Sequence, residues 1–543
     1  MLLTNRVINM QHLQNLILKH KRLVLVFIVL LGLALRLRGL AQVGFNEDEV
    51  QKVVAAHSYL HGRFFVNLEH PMLMKSLIAV SLAAGDIWNR VRAHPLAEET
   101  LVRLPNVIFG SLTAILIFLI GQEFFGAGIG LLGAFLWSTG IIAITINRVA
   151  KEDTLLVFFT WLAYYFYARA KKLCTQDITR GRRFYAASGA SFGLMLASKY
   201  FPHYLGLNAL YYVFCRKHRP AEALGKIGYV LFLGTCGLVF VLFNPLPFLP
   251  GTLRYILGYI HGSSITHHGY LMMGHLRRED MVGAGGMPRY FYLLLLAIKT
   301  PIPILAAFLV GLVVIWKRRR EPGPSFVLFM LLLWIIPFSL VGPKWFRYML
   351  AWMPAVYLVA AVGLARTWAC LTAWATQRWT PRALPLLAAV CAIVLVVYPV
   401  GVAASSGPFY SLYLNAFGFG RTGYYFPHDE MNDMGLRPAI ERICETAPYG
   451  ASVGGEAEPV FKYYFHKYGR DDLQYFYLSG SSKASGPESA FLVVQDGRKY
   501  LENIDLVDSI ESHQAPIHTV RIGGANAADI YHSEQFAVLR AAQ

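Results

Sequence analysis

At 543 residues, 55% hydrophobic and only 15% charged, the chain cannot present the polar surface that a soluble protein of this size needs. Its formal net charge of +18 is unevenly placed: residues 405–543 hold 11 Lys and Arg against 17 Asp and Glu, and the first 404 residues hold 39 against 15. Nucleic-acid binding is the weaker reading of that excess, because the cations sit in short loops between apolar runs rather than along one amphipathic face.

In chain order, apolar segments near the length that spans hydrocarbon fall at 22–40, 104–122, 127–146, 153–168, 184–200, 201–215, 224–248, 290–316, 324–341, 346–365 and 383–404. A further segment, 72–88, is short and carries Lys75 and Asp86. The positive-inside rule decides its placement. If it does not cross, the basic loops around Arg169–Arg183, Arg216–Arg219, Lys317–Arg320 and Arg378–Arg382 all lie inside with the N-terminal Lys19, Lys21 and Arg22. If it does cross, they all move outside. Residues 72–88 are therefore read as a juxtamembrane or re-entrant helix, and about 11 transmembrane helices are expected.

The fold class expected is a polytopic α-helical membrane protein with a C-terminal soluble α/β domain. The membrane domain covers 1–404, with outer loops 41–103 and 249–289 forming an active-site face. The tail, 405–543, lies outside the membrane, and its apolar stretches such as Ala490–Val494, alternating with polar helical stretches such as Arg437–Ala447, suit a small α/β domain. The six cysteines include no CxxC pair, so neither a disulfide framework nor a cysteine metal site is expected. No small-residue cleavage site follows the first apolar run, which reads as a retained anchor.

The chemistry-bearing residues gather on the outer face. Directly after the first span comes Gly44-Phe45-Asn46-Glu47-Asp48-Glu49-Val50. Three adjacent carboxylates repel one another, although acids at a helix start also serve simply as caps. Glu69-His70-Pro71-Met72-Leu73-Met74-Lys75 follows. Then come Arg103, the Arg148-Val149-Ala150-Lys151-Glu152-Asp153 run, Lys199, and Lys344-Trp345-Phe346-Arg347-Tyr348. Any one of these cations could be a membrane anchor. Arg103, Arg148, Lys199 and Arg347, with Lys75, on the same face as an acid cluster suit a phosphate at the membrane surface. A sugar joined through phosphate to a lipid would have its phosphate held by such cations, and a nearby carboxylate would deprotonate the acceptor hydroxyl. One base suffices for a single inverting displacement.

These residues resemble the dolichyl-phosphate-mannose–protein mannosyltransferases and their bacterial relatives, and the lipid A aminoarabinose transferases that share their layout, all of the GT-C type. The Asp-Glu pair is Asp48-Glu49, the Gly-Arg-aromatic spacer is Gly62-Arg63-Phe64-Phe65, and the His-Pro-Pro-Leu-Gly-Lys motif stands as His70-Pro71-Met72-Leu73-Met74-Lys75. Arg103-Leu-Pro, Arg148…Asp153, His268-Gly-Tyr270, Lys299-Thr-Pro-Ile-Pro303 and Arg347-Tyr348 continue the likeness over residues 20–430. The resemblance implies Asp48 as catalytic base with Glu49 beside it, Lys75, Arg103 and Arg148 as contacts to the carrier phosphate, and Asp153 as a supporting acid. His70 stays in register with the family motif and joins the supporting set. Lys199 and Arg347 complete the phosphate set from their placement at the outer face.

The reaction this implies is sugar transfer from a polyprenyl-phosphate-linked donor to a protein, lipid or glycan acceptor, on the periplasmic or exterior side of a bacterial inner membrane. No cofactor is required in that reading. A divalent metal held by Glu69, His267 and His268, with His70 and His275, is the lesser option, since surface histidines are usually only that. The competing readings are a transporter or flippase of lipid-linked sugars without chemistry, and a membrane-anchored binding scaffold.

Overall fold

The computed structural model describes residues 16–200, 225–260, 269–278, 286–342, 344–378, 383–479 and 487–534. The first span, α1 (Lys21–Leu37), leads through a short turn to α2 (Glu47–Leu60) and α3 (Met72–Val91). Helices α4 (Glu98–Phe125), α5 (Ala127–Thr139), α6 (Ile141–Asn147), α7 (Asp153–Leu173), α8 (Ile178–Ser198) and α9 (Gly225–Phe243) follow. Among the described residues, five helices are long and apolar enough to cross a membrane, or six if α5 and α6, bent by 58° at Gly140, form one broken span. The segment expected at 201–215 lies outside the described residues.

Helix α3 is 20 residues long and is not one of those spans. It packs against α2 and α4, so α2 and α3 form a helical hairpin laid over the second span. The stretch 249–289 holds, among its described residues, α10 (Pro250–Ile260) and a two-stranded hairpin, β1 (Tyr270–Met272) and β2 (His275–Arg277). Its turn places Met273 and Gly274 at φ 52° and 76°, and the Met273 amide donates to the Tyr424 carbonyl of the tail at 3.0 Å.

The apolar run 290–316 is two helices rather than one, α11 (Phe291–Lys299) and α12 (Ile302–Lys317), because Pro301 cannot continue the helix and pushes Thr300 into extended backbone. Helices α13 (Pro322–Leu340), α14 (Met353–Arg378), α15 (Ala383–Ala392) and α16 (Tyr398–Ser406) complete the membrane part. Gly311 of α12 and Gly363 of α14 face each other's backbone, and a Cβ on either would overlap a carbonyl of the opposite helix. Small residues let these two helices approach closely where apolar burial alone gives no drive toward association.

The tail begins with short turns and α17 (Pro427–Met431), then α18 (Leu436–Thr446). Its mixed sheet runs β4 (Gln474–Tyr477), β3 (Ser452–Gly455), β5 (Ala490–Val494), β7 (Ala525–Ser533) and β6 (His518–Ile522). The β3 pairings are parallel and the β7 pairings antiparallel. Helices α19 (Glu458–Lys467) and α20 (Ile504–His513) connect the strands. All five β5 residues are buried, which fits a central strand covered on both faces. The domain packs on the first outer loop: the Phe45 amide donates to the Tyr464 hydroxyl at 2.9 Å, and Lys467 meets Glu99 at 2.9 Å.

Candidate functional site

The three acids that open α2 have three different partners. Asn46 caps the helix: its Oδ1 accepts from the Glu49 amide at 2.9 Å, and the Glu49 carboxylate accepts from the Asn46 amide at 3.2 Å. This reciprocal capping box satisfies amides that a helix start leaves unpaired. Glu49 is fully buried, and its oxygens also accept Arg103 Nε at 2.8 Å, Arg103 Nη2 at 2.6 Å and the Ala150 amide at 2.8 Å. Glu47 accepts from Arg498 of the tail at 2.8 Å.

Asp48 faces the other way. Its carboxylate, 35% exposed, meets Lys151 at 2.6 Å and Arg347 at 3.6 Å. These two cations come from separate elements. Lys151 lies in the α6–α7 turn, and Arg347 in a tight helical turn over Phe346–Ala351. Arg347 lies over the rings of Trp345 and Tyr348, at 4.7 and 5.6 Å. Lys199 pairs with Asp153 at 2.6 Å and sits 4.9 Å over the Tyr348 ring. The structure thus brings Asp48, Arg347, Lys199 and Asp153 of the expected set around one turn.

Behind them lies a buried charge cluster. Glu152, fully buried, meets Lys52 at 3.0 Å, His70 at 3.3 Å and Lys151 at 4.0 Å. Lys52 sits one helical turn after Asp48 and points the same way. Burial would raise the Asp48 carboxyl, but Lys151, Arg347 and Lys52 together outweigh it and hold it well below the ordinary carboxylate range. Burial would likewise raise Glu152, and His70, Lys52 and Lys151 reverse that. His70 is pushed well below its usual range by burial, with Lys52 and Lys151 acting the same way and Glu152 opposing them. Burial and the neighbouring Lys52 bring the Lys151 ammonium down to about 8, with Asp48 opposing them.

Four expected residues take other posts. Arg103, beyond its fork on Glu49, donates to the carbonyls of Leu40, Val43 and Gly44 at 2.9, 2.7 and 2.7 Å. It is a buried clamp that fixes the chain between α1 and α2, and Glu49 is its counter-ion rather than a second open carboxylate. Arg148 donates to the carbonyls of Arg36 and Arg38 at 2.6 and 2.7 Å, and to those of Gly39 and Pro408 at 3.3 Å, so it closes the C-terminal end of α1. Lys75 donates to the carbonyls of Val66, Asn67 and His70 and is fully buried, so it holds the loop before its own helix. Lys75, Arg103 and Arg148, the three cations that the resemblance assigns to the carrier phosphate, thus all donate to carbonyl oxygens.

The sequence reading did not single out Lys52, Lys151, Glu152 or Arg498 as site residues. Lys52 was within reach, because Asp48 and Lys52 are four apart in a helix. Lys151 and Glu152 lie within the Arg148…Asp153 run. Among the described residues, no group of three or more His, Cys, Asp and Glu side chains is arranged to hold a metal ion. Glu69 accepts from Asn67 and from the Tyr255 hydroxyl, while His267 and His268 lie outside the described residues.

Residues 96–246 match the family model described as dolichyl-phosphate-mannose-protein mannosyltransferase. That stretch carries Arg103, the 148–153 turn and Lys199. No curated protein sequence matches the chain at a significant level. The fold is similar to that of ArnT from Cupriavidus metallidurans bound to undecaprenyl phosphate, with a TM-score of 0.54 and 14% identity over 93% of this chain and 97% of that one. For the same protein in the apo state the TM-score is 0.55 and the identity 13%, over 95% and 98%. It is also similar to the Archaeoglobus fulgidus oligosaccharyltransferase tethered with an acceptor peptide containing the NVT sequon, with a TM-score of 0.50 and 12% identity over 87% and 68%. The chain is a membrane protein of the GT-C fold, and it resembles the protein-mannosyltransferase and ArnT-like branches of that group.

Proposed function

We propose that the chain is a glycosyltransferase that moves a sugar from a polyprenyl-phosphate carrier to an acceptor hydroxyl on the non-cytoplasmic side of the membrane, with inversion and with Asp48 as general base. The observation that carries this reading is the setting of Asp48: of the three acids, it alone has a partly exposed carboxylate flanked by cations from two other elements. Those cations, Lys151 and Arg347, with Lys199 one residue-width away across Tyr348, are where a carrier phosphate would be held.

The electrostatics follow the reaction. In the step, the acceptor oxygen bonds to the anomeric carbon and its proton passes to Asp48. The bond from that carbon to the phosphate oxygen breaks, and the phosphate leaves with the electron pair and a second negative charge. Negative charge is therefore lost at Asp48 and gained at phosphate. Lys151 and Arg347 favour the later arrangement to the extent that they turn from the carboxylate toward the phosphate as the charge moves, which is the condition for acceleration. A phosphate drawing Lys151 and Arg347 toward itself also releases the Asp48 carboxyl upward in pKa, so the base strengthens when donor is present. Glu49, locked by Arg103 and two amides, is not placed to act as a second nucleophile, and this supports a single displacement.

The test uses purified protein in proteoliposomes with a panel of undecaprenyl-phosphate-linked pentoses and hexoses. Release of undecaprenyl phosphate that depends on added acceptor supports the transferase. Movement of an intact lipid-linked sugar across the bilayer without bond cleavage overturns it in favour of a flippase.

A further inference from the structure

Residues 429–433 of the tail touch the two elements whose side chains form the Asp48–Arg347 pair. On one side, Asp429 accepts from the Phe346 amide, next to Arg347. On the other, Asn432 Oδ1 accepts from the Asn46 amide group at 3.2 Å, and the Asp433 carboxylate accepts from the Glu47 amide at 3.3 Å. Between them, Glu430 pairs with the buried Lys299 at 2.6 Å, at the break between α11 and α12.

Arg498 completes the arrangement. It lies on the turn after β5, 10% exposed, with Nε and Nη2 on the Asp433 carboxylate at 2.9 and 2.6 Å and Nη1 on Glu47 at 2.8 Å. Both carboxylates are thereby held by one planar fork, which fixes their direction. The backbone beneath is unusual. Asn432 and Asp433 are consecutive non-glycine residues at φ 45° and 60°. L side chains seldom adopt that region, and such a conformation persists only where the surroundings hold it; it tends to gather at working sites. Here it turns both side chains toward the start of α2.

We propose that Arg498, Asn432 and Asp433 form a positioning device through which the C-terminal domain aims the Asp48 carboxylate. Their contacts fall on Asn46 and Glu47, the two residues before Asp48, so they set the entry angle of α2. Asp429 fixes the Arg347 turn from the same strip, so the separation of base and cation is held by one continuous piece of the tail. The domain is on this account part of the catalytic geometry rather than a cover. The inference rests on the assignment of Asp48 as base.

The experiment compares the full-length chain with R498Q, R498K and K499Q. Lys499 sits on the same turn but pairs with Asp496 and Glu511, away from α2. Three quantities are read: hydrogen exchange at the amides of residues 47–50, binding of undecaprenyl phosphate, and transfer turnover with the undecaprenyl-phosphate sugar that the chain accepts. In R498Q, exchange at 47–50 rises about tenfold, with the sheet strands unchanged. Turnover falls about 10- to 100-fold while undecaprenyl phosphate binds within about 2-fold of the unaltered chain, the signature of a misplaced reacting group. R498K falls between, and K499Q matches the unaltered chain. Unchanged turnover and exchange in R498Q overturn the proposal, as does loss of protection spread evenly over the whole sheet. An unaltered chain with no transfer from any donor overturns the transferase reading instead, and local exchange at 47–50 then decides the positioning by itself.

Discussion

The Lys151 ammonium lies 2.6 Å from the Asp48 carboxylate, although the two residues belong to different elements. Lys151 also faces the buried Glu152 at 4.0 Å, so it links the partly exposed acid to an acid that never meets solvent. Around this link, residues that act on substrate and residues that hold the backbone should give separable outcomes.

The first concerns pH. Lys151 is charged below about 8 and neutral above it. If its charge stabilises the departing phosphate, kcat/KM falls on the alkaline side with an apparent pKa near 8, since that ratio reports groups of the free enzyme. In K151R the guanidinium stays charged, so the alkaline limb moves upward by at least one unit. A limb that stays near 8 in K151R assigns the titration to another group.

On the proposed reading Arg347 acts on substrate. R347Q should lower kcat/KM about 10- to 100-fold, the equivalent of losing a charge-assisted contact of roughly 1.5–3 kcal/mol. R347K should recover only part of this, because an ammonium cannot reproduce a fork held between Trp345 and Tyr348. Kinetics on the two variants, with thermal unfolding as control, check the expectation. A loss seen in stability alone would assign Arg347 to structure.

Arg103 and Arg148 should behave in the opposite way. R103M leaves Glu49 buried without its counter-ion, a change that typically costs 3–5 kcal/mol, on the order of much of a protein's net stability. R148A removes donors from three carbonyls at the end of α1 and from that of Pro408, and should cost about 1–3 kcal/mol. Thermal unfolding in detergent measures both. Folded R148A should bind undecaprenyl phosphate as the unaltered chain does, and a large loss of that binding would return Arg148 to the phosphate site.

Much of this was readable from sequence where the signal is local. The apolar runs marked the helices, Ala490–Val494 marked the central strand, and the acids before Val50 marked the start of α2. Sequence could place a cation at a helix end, but it could not show which carbonyl oxygens stand beside it. For that reason the carbonyl contacts of Arg103, Arg148 and Lys75 were not legible in it. The break at Thr300-Pro301 was hidden by an unbroken apolar run, although a proline there already disfavours helix at the residue before it. Arg498 was beyond reach altogether. It meets Glu47 across 451 positions, and no periodicity connects the two.

The most direct measurement of the central claim is single-turnover sugar transfer by D48N, with undecaprenyl phosphate binding and thermal unfolding measured on the same sample. Asparagine keeps the shape but cannot take the acceptor proton. The account predicts transfer slowed by about 10²- to 10⁴-fold, the range for removing a general base, with folding intact and phosphate binding undiminished. Removing the carboxylate frees Lys151 and Arg347, so that binding should if anything tighten. Transfer at the unaltered rate in a folded D48N protein would contradict the assignment of Asp48.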